Sequence, residues 1–398
     1  MMNELKPADL SELKRAEAVS PDPINPKIRT LQVIDTDFHF SPKWDTLRNY
    51  LKEPFKSRLF HFPVGSLEYN PEPANEKPGV GQDTHGTAAT GADVLRVLDQ
   101  FGTDIVVLNP GYNRPQAIFN EPVIAAIASA HNDYLIEEVF PASDRIKANL
   151  MICHRDPQMG ADEIRRVGHH KQFIGVFTSF SGLFEPLGCA KFDPILDAMA
   201  EHDLVLTSHS EGWFPHFSPL WTGARTWIEL FGNAPAGNAM AHLAAMICQG
   251  MFDKYPKQKV IFQEGGYWWL PDFMLRLDDF FMSSSGDIAL VERKLASGER
   301  NLKKLPSEYV LEHVRFSTQP ITIPKNRKHF AWMLELSHAA DLFCFSSDWP
   351  HQTMDPANWV VENPDCIGDE MQKKILSGNA HKLYGSRLQY FGVTQDGG

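Results

Sequence analysis

The 398-residue chain is poor in cysteine, in basic charge and in long apolar runs, and each shortage removes a class of function. Its five cysteines, Cys153, Cys189, Cys248, Cys344 and Cys366, are scattered and odd in number, and none forms a CxxC pair. That excludes a disulfide framework and a thiolate zinc site. Lys plus Arg number 38 against 50 for Asp plus Glu, a formal charge of −12, which argues against nucleic acid as a main partner because phosphate binding needs a basic face. No apolar run approaches the roughly 20 residues that a membrane span needs, and the first residues are charged and Pro-containing with no apolar signal core. The expectation is a cytoplasmic enzyme with no membrane partner. Repeats and low-complexity tracts are absent too.

What is present is a soluble-protein composition, 43% hydrophobic and 22% charged, with a regular alternation of elements. Short apolar runs read as strands at 33–40, 104–109, 146–152, 173–178, 204–209, 259–264, 313–317 and 342–348. Between them lie stretches with helical spacing, among them 92–101, 121–139, 157–168, 190–202, 238–254, 325–339 and 368–384. Eight β units alternating with α units predict a closed (β/α)8 barrel of the TIM type. The competing open, doubly wound sheet needs a Gly-rich turn after the first strand, and none is there. The domain expected is 31–390, preceded by an arm at 1–30. Three long connections, 53–90, 210–237 and 267–310, leave strand C-terminal ends and are expected to cap that face as lids.

In such a barrel the site is assembled from strand C-terminal ends. The first strand ends Asp35-Thr36-Asp37-Phe38-His39, and strict alternation would aim Asp35, Asp37 and His39 the same way. Other strand ends supply Asn109, Thr178, His209, Glu264 and Asp348. Taken singly, each has an ordinary structural use: His209 bonding a backbone carbonyl, Asp348 making a turn before Pro350. Together, Asp37, His39, His209 and Asp348 make two nitrogens and two oxygens on one face. That set suits one divalent ion, Zn(II) first, with Mn(II) or another as the alternative. The aromatic residues Phe40, Trp213, Trp268 and Trp349 are expected either around a flat, small-molecule carboxylate substrate or in ordinary packing of the cap.

Ile34-Asp35-Thr36-Asp37-Phe38-His39, His209, Glu264-Gly265-Gly266 with Trp269-Leu270-Pro271, Ser347-Asp348-Trp349-Pro350-His351 and Asn379-Ala380-His381-Lys382-Leu383-Tyr384-Gly385 carry a resemblance over about 31–385. In order and spacing they resemble the amidohydrolase-2 branch of the amidohydrolase superfamily, with its aminocarboxymuconate-semialdehyde and resorcylate decarboxylase relatives. The resemblance implies a mononuclear metal on Asp37, His39, His209 and Asp348, with Asp348 as the proton carrier. Two departures stand out. The first motif is Asp-x-His rather than His-x-His, which favours non-oxidative decarboxylation over attack by metal-activated water on an amide, lactone or C–C bond. The strand-six histidine is replaced by Glu264, which either takes over its acid–base role or anchors nearby backbone. His351 is expected to partner the metal ligands, His242 to be structural, and the protein to be a homodimer. A barrel that binds without catalysing is the remaining alternative, and retention of all four ligand positions argues against it.

Overall fold

The computed structural model describes residues 24–59, 88–111, 116, 120–179, 183, 185–210, 225–351 and 353–388. Eight parallel strands follow one another in chain order: β1 (Ile34–Phe40), β2 (Ile105–Pro110), β3 (Ile146–Met151), β4 (Phe173–Ser179), β5 (Val205–His209), β6 (Val260–Gln263), β7 (Val314–Ser317) and β8 (Phe343–Cys344). The outer layer includes α1 (Gly91–Phe101), α2 (Glu121–Tyr134), α3 (Pro157–Val167), α4 (Asp193–His202), α5 (Ala234–Cys248), α6 (Leu270–Ser284), α7 (Glu292–Ser297), α8 (Pro306–His313), α9 (Arg327–Leu336) and α10 (Asn379–Tyr384). This is the expected (β/α)8 barrel. No described helix is long and apolar enough to cross a membrane.

Local chemistry starts and stops these helices. Thr90 and Asp93 cap α1 reciprocally, side chain to backbone, and the helix ends at Gly102 with φ +66°. Asp156 accepts from Gln158 N and Met159 N at 3.0 Å to open α3, with Pro157 at its first position.

Period-2 alternation layers the barrel interior. At the bottom, Ile34, Ile105, Val107, Ile174, Val205, Ile261 and Cys344 pack against Ala380, Leu383, Tyr384 and Leu388, so α10 and the turn after it form the floor. The Asn379–Gly385 motif therefore has a structural use. Two residues further along the strands the interior turns polar, with Asn109, Asn149, Thr207 and Gln263 all fully buried.

The seam between β8 and β1 departs from the strand predicted over 342–348. Only Phe343–Cys344 is regular strand. Beyond it the barrel closes through Thr36 N to Phe345 O (3.0 Å), Asp348 N to Asp37 O (3.0 Å) and His39 N to Trp349 O (2.8 Å). β1 also bulges: Asp35 pairs with Val106 and Phe38 with Leu108, three steps against two. The bulge reverses parity within β1, so Asp37 and His39 face the interior while Asp35 faces the outer wall. The expectation that all three point together is corrected by that extra residue.

Part of the 267–310 connection is tied to the barrel's flank. Arg293 of α7 binds Asp193 Oδ1 and the carbonyls of Gly188, Cys189 and Gln249, and the buried Lys294 binds Asp253 and Glu299. These bonds tie the segment to the helices that precede β5 and β6, on the barrel's flank. Residues 60–87 and 211–224, which hold most of the other two expected lids, lie outside the described residues.

Candidate metal centre

Strand register brings the ligand candidates to one level. His39 pairs with Asn109, Ser179 with His209, and His209 with Gln263, so the C-terminal ends of β1, β2, β4, β5 and β6 meet at one height. Asp37 Oδ2 lies 3.5 Å from His209 Nε2, and Asp37 Oδ1 lies 3.6 Å from His39 Nε2. His39 Nε2 is 3.0 Å from Asp348 Oδ1. Glu264 Oε1 lies 3.8 Å from both His209 Nε2 and His351 Nδ1. Two overlapping groups result, each with ligand atoms within 4.8 Å of one another: Asp37, His39 and His209, and His39, Glu264, Asp348 and His351. His39 belongs to both.

A cation fits this arrangement. Asp37 Oδ2, His39 Nε2 and His209 Nε2 are buried with no hydrogen bond of their own among the described residues, an arrangement that costs free energy unless something binds them. His209 Nδ1 lies 2.5 Å from Ser210 O, which places the proton on Nδ1 and turns the Nε2 lone pair inward. Among the described residues the ion pairs of Asp37, Glu264 and Asp348 are all with histidines, so three carboxylates meet without a lysine or arginine. The charge imbalance shows in the titration. Burial pushes His209 down, yet Glu264, Asp37 and Asp348 outweigh it and raise the imidazole to about 10. Burial and Asp348 push Glu264 up to about 8. Burial opposes ionisation of Asp348, but His351 and His39 hold it well below the usual carboxylate range.

Backbone conformation also marks the site. Four non-glycine residues among those described have φ between +51° and +58°, and two of them are Glu264 (+54°) and Asp348 (+58°). A left-handed carboxylate after both β6 and β8 is strain concentrated where two acids must turn toward one point. Glu264 N donates to Ser317 Oγ at 3.3 Å, and Thr353 Oγ1 donates to Asp348 Oδ2 at 3.3 Å. His351 Nδ1 shares a 2.6 Å hydrogen bond with Asp348 Oδ1, placing it beside the ligands as expected.

Beneath the ligands runs a buried amide chain that the strand-end reading missed. Thr207 Oγ1 donates to Asn149 Oδ1 (3.0 Å), Asn149 Nδ2 to Asn109 Oδ1 (2.6 Å), and Asn109 Nδ2 to Asp37 Oδ1 (2.6 Å) and Gln263 Oε1 (2.8 Å). Gln263 Nε2 closes onto Thr36 O at 2.5 Å. Asn109 thereby bonds one oxygen of Asp37, while Oδ2 makes no hydrogen bond. A signal existed: Asn149 is a polar residue between Ala148 and Leu150 in β3.

The aromatic expectations fare worse. Phe40 alternates with His39 and packs outward on His131 and Tyr134, ring centroids 6.3 Å from each. Trp349 stacks on Phe38 at 4.6 Å behind the barrel wall. Trp268 donates to Thr322 O and packs on Tyr267, Phe330 and Phe343. All three are spent on packing rather than on the mouth, and Trp213 lies outside the described residues. His242 accepts from Leu187 N at 3.0 Å, a structural role as expected.

The Amidohydrolase family model matches residues 34–386. A gamma-resorcylate decarboxylase of Polaromonas sp. is 25% identical over 303 residues, covering 73% of this chain and 86% of that protein. The 5-carboxyvanillate decarboxylase of Novosphingobium aromaticivorans, solved with manganese and 4-hydroxy-3-methoxy-5-nitrobenzoic acid, superposes with a TM-score of 0.64 at 19% identity, covering 92% of this chain and 99% of that one. A dihydroxybenzoic acid decarboxylase of Polaromonas sp., solved with manganese and 2-nitroresorcinol, gives 0.57 at 19% identity, covering 89% and 97%.

Proposed function

The chain belongs to the amidohydrolase family, and on that premise we propose that it is a divalent-metal-dependent decarboxylase of a small hydroxylated aromatic carboxylic acid. The observation that carries this reading is the convergence of three buried donor atoms that make no hydrogen bond, Asp37 Oδ2, His39 Nε2 and His209 Nε2, beside a hydrogen-bonded Asp348–His351 pair. Relatives named for removing CO2 from aromatic acids support the reaction class. Asp37, His39, His209 and Asp348 would hold the ion. Half of that donor set is carboxylate oxygen, and two neighbours in fold carry manganese, so Mn(II) moves ahead of the Zn(II) expected from sequence.

When bound, the ion supplies Lewis acidity toward the substrate's oxygens. The protein's part is the proton. Decarboxylation breaks the bond between ring carbon and carboxylate, leaves its electron pair on carbon, releases CO2 and places one proton on that carbon. Asp348, which the neighbouring histidines keep ionised, relays that proton to carbon from His351, 2.6 Å away. Glu264, 3.8 Å from both His209 and His351, stands where the family histidine would be and holds His351 toward the site.

Incubating the Mn(II)-loaded protein in D2O with ortho-hydroxylated benzoates tests this. The expected result is CO2 release with one deuterium on the carbon that lost it. Heavy oxygen entering product from labelled water without CO2 would replace this reading with the hydrolase one.

A further inference from the structure

We propose that Asp35 is a positioning residue for the metal site: its carboxylate clamps the turn carrying Asp348 to the strand carrying Asp37. The inference rests on the reading of Asp37 and Asp348 as ligands.

Asp35 is 2% exposed on the outer face of the barrel wall. It borders a small cavity lined by Phe38, Val97, Leu98, Phe101, Phe345 and Trp349. A carboxylate is costly among such neighbours unless its oxygens are hydrogen-bonded. They are. Oδ1 accepts from Ser347 N at 2.9 Å and from Asp37 N at 3.2 Å, and Oδ2 accepts from Ser347 Oγ at 2.5 Å. Ser347 Oγ in turn accepts from Trp349 N at 3.1 Å. One side chain thus secures the residue before Asp348 directly and the residue after it through a hydroxyl.

The location is where the barrel needs such a tie. β8 has two regular residues, and beyond Cys344 the segment carrying Asp348 is joined to β1 by single backbone hydrogen bonds in irregular register rather than by a continuous ladder. Asp348 also has φ +58°, a conformation an L-residue leaves when its flanks are freed. Releasing Ser347 and Trp349 would let the turn relax and swing the Asp348 carboxylate away from His39. The bulge that turns Asp35 out of the interior is what makes the clamp available, since strict alternation would have put it among the ligands.

The test is Mn(II) affinity of the chelator-stripped full chain by calorimetric titration, with Tm recorded alongside. Asp35→Ala should weaken binding about 10–100-fold, the usual effect of losing a group that orients a metal ligand. Asp35→Asn removes the charge but keeps an acceptor for both backbone N–H groups, and should stay within a few-fold of wild type. Ser347→Ala deletes a single hydroxyl and should fall between them, which keeps the proposal open to test if Asp35→Ala does not fold. Leu98→Ala, in the same wall but outside the clamp, should lower Tm and leave affinity unchanged. Asp35→Ala or Ser347→Ala binding within twofold of wild type overturns the clamp. So does an Asp35→Asn loss equal to that of Asp35→Ala, which would make the effect one of charge. Failure of the wild type to bind Mn(II) or Zn(II) strikes instead at the ligand reading, and the clamp falls with it.

Discussion

His351 Nδ1 and Asp348 Oδ1 share a 2.6 Å hydrogen bond while the same oxygen lies 3.0 Å from His39 Nε2. One carboxylate oxygen thereby stands between a ligand candidate and a ring that is 24% exposed at its side chain, a route from solvent to the site. Asp348→Asn keeps the shape and a ligand oxygen but loses the basic group. The protein should fold, keep part of its metal and lose at least ~100-fold in kcat under saturating Mn(II). Near-normal turnover would leave Asp348 as a structural ligand only.

His351→Gln tests the resupply of that proton. Its expected signature is a fall in kcat of about 10–100-fold with metal content unchanged by elemental analysis. Loss of the metal instead would make His351 a ligand, as its membership of the second donor group allows.

The amide chain makes a stability prediction. Asn109→Leu leaves Asp37 Oδ1 and Gln263 Oε1 without their donor in a fully buried layer. An unsatisfied buried polar group costs about 1–3 kcal/mol, so the urea midpoint should drop by a corresponding amount in the metal-free protein. A midpoint equal to wild type would mean that water replaces the amide.

Much of the site could be read from strand ends, and the reasons for the failures are specific. His39, His209 and Asp348 follow from knowing that a barrel works at one face, because alternation and chain order are local properties. Asp35 was misplaced because a bulge depends on pairing with β2, which no single strand reveals. Phe40 and Trp349 were given to the substrate by proximity in sequence, although alternation puts Phe40 opposite His39. The short β8 is a tertiary effect too: the run 342–348 is apolar enough for a strand, but its later residues bond across to β1 in irregular register. The Asn379–Gly385 motif stood out in the sequence, but nothing local to it says that α10 forms the barrel floor.

Two buried histidines away from the ligands set an acid limit on stability. Burial holds His131 down to about 4 and His154 to about 3, against an ordinary value of 6.5. Between those values and 6.5 the unfolded chain binds protons that the native chain does not, so stability rises with pH there and falls as the solution is acidified. Urea midpoints should decline from pH 6.5 toward pH 4, and His154→Leu should flatten that slope. An unchanged slope in the variant would show that His154 is not held neutral.

Metal content of the purified protein bears on the whole account most directly. The account predicts about one divalent ion per chain by elemental analysis, lost in His209→Ala, and CO2-releasing activity that chelation removes and Mn(II) restores. A protein that holds no metal, takes up neither Mn(II) nor Zn(II), and turns over equally well with and without chelator would contradict it.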